Sequence, residues 1–137
     1  MIILIVDDSE DDVFFLKKGF EKAATLASLH DVRSGDQAIA YLKGESPFGD
    51  RGKYPVPGGV ILDIKMPGIT GFEVLSWIRK QPSFRKLPVV MMTTSVDPKE
   101  AAEAYKLGAV FLTKPDFADL VPVCRQIDRL LKQTDGS

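Results

Sequence analysis

The segment LIVDDSEDD, which runs from Leu4 to Asp12, ends a short apolar run at two adjacent carboxylates, Asp7 and Asp8. Three more acids follow within the next four positions, so negative charge is crowded where a buried strand would end. Carboxylates this close repel one another, and some would take up protons unless a cation offset their charge. The segment therefore predicts a strand whose end requires a positive partner.

Similar apolar runs recur along the chain and alternate with stretches of helical spacing. Short runs rich in β-branched residues are typical of strands buried on both faces. They occupy residues 2–6, 60–62, 89–92 and 110–112, with a weaker candidate at 27–32. Five strands alternating with five helices predict an α/β fold, a (βα)5 parallel sheet with helices on both faces and right-handed crossovers.

Helix starts are marked by polar residues that stand three positions before an acid or amide, namely Ser9, Ser34, Thr70 and Asp97. Such pairs satisfy the free amide hydrogens of a first helical turn. We expect the last helix to start from Asp119, because Pro122 then falls in the first turn, where it breaks no hydrogen bond. The acids at 10–12 are interpreted as a capped, solvated helix start whose charge suits the helix dipole.

The same pattern sets the expected domain boundaries. We expect one domain over residues 1–132, a short polar tail at 133–137 and no effector domain. Residues 44–59 hold three prolines and five glycines and predict a long loop insertion. This loop enters the third strand at its N-terminal end, away from the ligand edge of such sheets. Its aromatic residues Phe48 and Tyr54 either pack the loop down or contact a partner.

The composition argues against several classes of protein. The 137 residues are 45% hydrophobic with a formal net charge of −1, which fits one full core and shows no bias toward nucleic acid or an anionic membrane. No segment approaches the roughly 20 apolar residues of a membrane span. Cys124, the single cysteine of the sequence, cannot form an internal disulfide, which predicts a cytoplasmic protein.

The residues that follow the strands carry the chemistry. Asp7 and Asp8 follow the first strand, Asp63 ends the third, Thr93 ends the fourth and Lys114 follows the fifth. The carboxyl ends of parallel strands lie along one edge, which is the usual ligand site of an open α/β sheet. Three carboxylates suit a hard divalent ion such as Mg²⁺. A carboxylate can attack phosphorus, while a metal ion and a lysine neutralise charge on the phosphoryl group.

Four motifs at these strand ends carry a family resemblance: VDD at 6–8, LDIKMPGITGFEVL at 62–75, MTT at 92–94 and TKP at 113–115. In this order and spacing they closely resemble the receiver domain of bacterial two-component response regulators, over essentially the whole chain. The resemblance implies a flavodoxin-like, doubly wound parallel sheet with strand order 2-1-3-4-5. It also implies that the domain is not an enzyme beyond its own phosphorylation and dephosphorylation.

The resemblance implies a role for each acid. Asp63 matches the aspartate that accepts a phosphoryl group from a sensor histidine kinase. Asp8 matches a direct Mg²⁺ ligand, and Asp7 matches a ligand that acts through water. Lys65 would offer its backbone carbonyl to the metal ion.

The remaining matched positions concern the response to phosphorylation. Thr93 and Lys114 match the pair that binds the phosphoryl oxygens, and Thr94 matches the small residue beside the phosphoryl group. Phe111 falls at the aromatic switch position, whose rotamer follows the movement of the threonine.

The resemblance also implies partners. The loop at 44–59 is similar to that of stand-alone regulators that partner phytochrome-type histidine kinases. The output would be contact with a downstream protein through the last helix and strand, together with residues 99–106 and 109–111. Tyr105, Phe111 and Phe117 offer apolar contacts for a homodimer.

Two other functions remain open on the residues alone. The first is a binding or scaffold domain that keeps the fold and works independently of phosphorylation. The second is a metal-dependent phosphohydrolase, which typically has a second aspartate two positions after the nucleophile. Lys65 stands at that position after Asp63, and Ser9 stands there after Asp7.

Overall fold

The computed structural model describes residues 1–94, 97–114 and 120–133. Over these residues it contains five strands and five α-helices in strict alternation. The strands are β1 (Ile2–Val6), β2 (Ser28–Val32), β3 (Gly59–Asp63), β4 (Val89–Thr93) and β5 (Val110–Thr113). The helices are α1 (Glu10–Lys22), α2 (Gly35–Lys43), α3 (Gly71–Lys80), α4 (Pro98–Lys106) and α5 (Val121–Gln133), with a short 3₁₀ turn at Pro82–Phe84.

All five strands are parallel, in the order β2-β1-β3-β4-β5. The predicted fold class and strand order are therefore confirmed. Alternate residues of the central strands enter two separate cores. One core joins the sheet to α2, α3 and α4, and the other joins it to α1 and α5. Among the described residues, no helix has both the length and the apolar character needed to cross a membrane.

The predicted helix caps are present. The side-chain oxygens of Ser9, Ser34, Thr70 and Asp97 each accept a hydrogen bond from a backbone N–H in the first turn of the helix that follows. Helix α5 begins at Val121, so its proline occupies the second helical position, within the first turn as predicted. Asp119, the predicted start, lies outside the described residues, as do Phe117 and positions 134–137 of the predicted tail.

The prediction that 110–112 is buried on both faces is wrong. Val110, Phe111 and Leu112 are each only partly buried. The reason is topological, because β5 lies at the edge of the sheet and pairs with β4 alone among the described strands. The β-branched composition indicated the strand correctly, but composition does not report a strand's position in the sheet.

The loop at 44–59 packs against the domain, which is one of the two alternatives open from the sequence. Phe48 and Tyr54 form an aromatic cluster with Tyr41 of α2, with ring centroids 5.1–6.0 Å apart. The guanidinium of Arg51 donates to the backbone carbonyls of Tyr41, Leu42 and Tyr54 at 2.8–3.2 Å. These contacts hold the loop at the opposite end of the sheet from the carboxylates, since it leads into the start of β3.

We expect Ala24→Gly to raise the free energy of unfolding by about 1 kcal/mol, because a left-handed backbone costs a non-glycine residue about that much. Ala24 is exposed, lies just after α1 and has a φ of 55°. Urea denaturation measures the change. Ala102→Gly, at an exposed position inside α4, is the control and should lower stability by about 1 kcal/mol. The same sign for both variants would contradict the prediction.

Candidate functional site

The predicted carboxylates come together at the carboxyl edge of the sheet. Asp7 and Asp8 follow β1, and Asp63 is the last residue of the neighbouring strand β3. One carboxylate oxygen from each of these three residues lies within 4.8 Å of the other two. Asp7 and Asp63 are buried, at 3% and 7% exposure, whereas Asp8 is exposed. The group therefore has two inner carboxylates and one that faces solvent.

Lys114 is the positive partner that the opening segment requires. Its backbone N–H donates to the carbonyl of Thr93 at 2.7 Å, which ties the end of β5 to the end of β4. Its Nζ lies 2.9 Å from Asp7 Oδ2 and 3.5 Å from Asp63 Oδ2. The lysine side chain is only 14% exposed, so these contacts are largely shielded from water.

Asp12 also belongs to this cluster, and the interpretation of that residue as part of a solvated helix start is wrong. Its Oδ2 lies 2.7 Å from Lys114 Nζ, and its side chain is only 17% exposed. Helical spacing was the signal that could have identified it. Leu16 and Phe20 follow at intervals of four on the same face of α1, and both are buried. Asp12 therefore lies on the face of α1 that is turned toward the sheet.

The electrostatics of the site reflect burial and crowding. Burial, with the charge of Asp7 adding to it, raises the pKa of the Asp63 carboxyl from 3.8 to about 6, against the opposing effects of Lys114 and of the Lys65 backbone N–H. Burial alone would lower the pKa of Lys114, but its hydrogen bonds to Asp12 and Asp7 outweigh burial and leave that pKa above its usual range. Asp63 is thus a carboxylate whose charge is only partly compensated.

The donor set fits a divalent metal ion. Asp7, Asp8 and Asp63 present oxygen ligands close enough to share one ion, and carboxylate oxygens are what Mg²⁺ and Mn²⁺ prefer. Lys114 is the one described cation with ion pairs to the inner acids Asp7 and Asp63. A bound cation would supply the missing positive charge and lower the pKa of Asp63.

The other predicted residues surround this cluster at different depths. Thr93 ends β4 and is 1% exposed, whereas Thr94 is exposed. The Lys65 side chain is exposed, and its backbone N–H helps to lower the pKa of the Asp63 carboxyl. Phe111 pairs with Met91, two residues before the strand end, and packs against the core beneath α4. Phe111 is therefore set back from the carboxylates, half buried in an edge strand.

Comparison with known proteins agrees with this geometry. The family model of the response regulator receiver domain matches residues 3–125. The chain is 29% identical to response regulator Rcp1 of Synechocystis over 97% of its own length and 90% of that protein. The solved Mn(2+)-bound form of Rcp1 superposes with a TM-score of 0.79 at 27% identity, covering 94% of this chain and 90% of that one.

A second solved structure is similar over nearly the whole chain. Response regulator RPA3017, from red light signaling in R. palustris, has a TM-score of 0.88 at 33% identity, with 98% of this chain and 96% of that chain covered. Some matches are to parts of longer proteins. The chain spans only 23% of a probable cyclic di-GMP phosphodiesterase of Vibrio cholerae, at 34% identity.

Proposed function

Because the chain belongs to the response regulator receiver domain family, we propose that it is a signalling domain that accepts a phosphoryl group on Asp63. The observation that carries this proposal is the convergence of a buried carboxylate, two further acids and a largely shielded ammonium at one sheet edge. Lys114 stands 3.5 Å from the proposed acceptor oxygen. This arrangement matches what transfer to a carboxylate requires, namely a nucleophile beside fixed positive charge.

The proposed transfer is an in-line displacement at phosphorus. An Oδ atom of Asp63 attacks the phosphorus of a phosphohistidine, forming an O–P bond as the P–N bond breaks. The electron pair of the broken bond remains on the imidazole nitrogen of the kinase. The product is an acyl phosphate on Asp63, whose added negative charge lies against Lys114.

We propose Mg²⁺ as the ion of this site, held by Asp8, Asp63 and the backbone carbonyl of Lys65, with Asp7 acting through water. When bound, the ion would neutralise charge on the phosphoryl oxygens. The donor set supports a hard divalent cation, and the related Rcp1 has a solved Mn(2+)-bound form.

Thr93 and Lys114 are the proposed sensors of the phosphoryl group. Both stand at neighbouring strand ends, joined by the bond from the Lys114 N–H to the Thr93 carbonyl. A hydrogen bond from the Thr93 hydroxyl to a phosphoryl oxygen, beside the small neighbour Thr94, would shift the end of β4. That shift would bias Phe111, because its strand β5 pairs with β4.

The proposed output is protein contact through the last helix and strand, α5 and β5, together with residues 99–106 and 109–111. Tyr105 is 63% exposed on α4 and offers an apolar contact for a downstream protein or for a second copy of the chain. Similarity to Rcp1 over 90% of its length supports a stand-alone regulator. The relation of RPA3017 to red light signaling supports a phytochrome-type histidine kinase as the upstream partner.

Intact-mass measurement after incubation with Mg²⁺ and phosphoramidate tests the proposed function. The unaltered protein should gain one phosphoryl group that hydroxylamine removes, and Asp63→Asn should gain none. Asp50→Asn, at an exposed loop position, is the matched control and should be phosphorylated normally. Absence of uptake by the unaltered protein, or equal uptake by Asp63→Asn, would refute the proposal. Partner binding that ignores Asp63→Asn and Mg²⁺ would favour a phosphorylation-independent binding domain.

A further inference from the structure

The shortest ion pair of Lys114 is made with a residue outside the three-carboxylate group. Lys114 Nζ lies 2.7 Å from Asp12 Oδ2, compared with 2.9 Å to Asp7 and 3.5 Å to Asp63. Within the described part of the chain, the acids that could share one ion are Asp7, Asp8 and Asp63. Asp12 therefore binds the lysine without belonging to the set that would bind a metal ion.

Local backbone contacts hold Asp12 in place. Its N–H donates to Ser9 Oγ at 3.2 Å, and the N–H of Ser9 donates to Asp7 Oδ1 at 3.0 Å. The next residue, Val13, is 2% exposed and anchors the first turn of α1 on the sheet. The Asp12 carboxylate thus projects from a capped and anchored helical turn.

The three carboxylates that pair with Lys114 differ in what happens to them when the site works. A lysine ammonium has three N–H donors on a flexible stem. In the proposed function, Asp7 and Asp63 engage a metal ion and a phosphoryl group, which compete for the oxygens that contact Lys114. Asp12 keeps its oxygen free for the lysine throughout.

From this difference we infer that Asp12 is a positioning residue for Lys114, an inference that rests on the proposed function of the Asp63 site. Asp12 holds the ammonium against the site while the other carboxylates change partners. The remaining N–H groups of Lys114 then face the phosphoryl oxygens. Without Asp12, the lysine stem has no fixed acceptor and samples orientations that do not contact the transferring group.

A simpler role would be charge at the start of α1, where acids favour the helix dipole. Glu10 and Asp11 lie in the same first turn, and both are exposed. If helix charge were the whole role of Asp12, Asp11→Asn would have the same effect as Asp12→Asn. Asp11→Asn is therefore the matched control.

The first measurement is made without metal ions or phosphodonor. Urea denaturation in EDTA is carried out on Asp12→Asn, Lys114→Met and the double variant. We expect Asp12→Asn to raise the unfolding equilibrium constant about tenfold when Lys114 is present. In the Lys114→Met background the same substitution should raise it less than about twofold, because two paired charged residues affect stability in a coupled way. Equal effects in both backgrounds would overturn the contact on which the inference rests.

The second measurement is the rate of phosphoryl uptake from phosphoramidate at saturating Mg²⁺. We expect Asp12→Asn to lower the rate about tenfold when Lys114 is present and less than about twofold in the Lys114→Met background. Asp12→Glu keeps the charge and should recover most of the rate. Asp11→Asn should leave the rate unchanged.

The outcomes separate this inference from the proposed function. One outcome would overturn the inference and leave the proposed function standing. In it, the unaltered protein takes up phosphoryl groups normally, and a folded Asp12→Asn protein takes them up at the same rate. A rate defect of equal size in the Lys114→Met background would also overturn it, because Asp12 would then act independently of the lysine. Absence of uptake by the unaltered protein would remove both.

Discussion

Gly71→Ala is expected to lower the free energy of unfolding by about 3 kcal/mol or more, at the upper end of overpacking effects. A Cβ at this position would stand 2.2 Å from the Asp63 carbonyl oxygen and 2.8 Å from the Ile64 Cα. Both atoms belong to the backbone and cannot rotate away. Gly71 is also bound there, since its N–H donates to the Ile64 carbonyl at 2.9 Å.

The consequence extends to the site because Gly71 is the first residue of α3 and Asp63 is the last residue of β3. A methyl group between them must displace the helix or the strand end that carries the proposed acceptor. We therefore expect phosphoryl uptake to fall as well in any Gly71→Ala protein that folds. The glycine is required at this position by close backbone approach.

Gly68→Ala is the matched control for this prediction. Gly68 lies three residues before Gly71 with a φ of 79°, and an added Cβ would meet no heavy atom within 4 Å. Only the left-handed conformation opposes alanine there, at a cost of about 1–2 kcal/mol. Urea denaturation in EDTA compares the two variants. A Gly71→Ala protein as stable as Gly68→Ala would show that α3 can withdraw from β3 at little cost.

Lys114→Met is expected to destabilise the metal-free protein by about 3 kcal/mol at pH 8, the range found when one partner of a buried ion pair is removed. The substitution leaves the carboxylates of Asp7, Asp12 and Asp63 without their shared ammonium in a largely buried cluster. Methionine keeps the length of the stem and its apolar contacts. The loss therefore reports mainly on charge.

The loss should depend on pH with a definite sign. Lys114 lowers the pKa of Asp63, so the variant raises that pKa above its native value of about 6, whereas the unfolded carboxyl titrates at 3.8. Between these values the folded state binds more protons than the unfolded state, and stability falls as pH rises. In the native protein this fall ends near pH 6, but in the variant it continues to higher pH. The deficit should thus be smaller at pH 5 than at pH 8.

Urea denaturation of both proteins at the two pH values, in EDTA, measures this effect. Lys17→Met is the control, because it removes a lysine that pairs with Asp31 while 43% of its side chain is exposed. Pairs of that kind contribute less than about 1 kcal/mol. Millimolar Mg²⁺ should reduce the Lys114→Met deficit, since an added cation compensates the acids. A deficit of equal size at pH 5 and pH 8 would contradict the charge argument.

Much of the architecture could be predicted because its causes are local. The effects of short β-branched runs, of capping residues and of Pro122 on the backbone are confined to nearby residues in the chain. The observed helices and strands agree with these local signals. Strict alternation then leads to a parallel sheet, whose strand ends share one edge. For that reason the sequence alone predicts that Asp7, Asp8, Asp63 and Lys114 lie close together.

The features that the sequence predicted wrongly, left open or missed share a different cause. The partial exposure of 110–112 depends on which strand lies at the edge of the sheet, and the loop at 44–59 could have packed inward or remained available to a partner. The role of Asp12 was missed because its partner, Lys114, is 102 positions away in the sequence. The need for Gly71 comes from the approach of a helix to a strand end, which leaves no trace in local periodicity.

For this protein, the amino-acid sequence alone determined the fold and the kinds of groups at the strand ends, because backbone preferences and hydrophobic periodicity act over a few residues. The tertiary structure decided which acid holds the lysine, how far each carboxylate is buried and therefore how strongly the pKa of Asp63 is raised. Those quantities depend on ångström-scale distances between distant parts of the chain and on the exclusion of water around them.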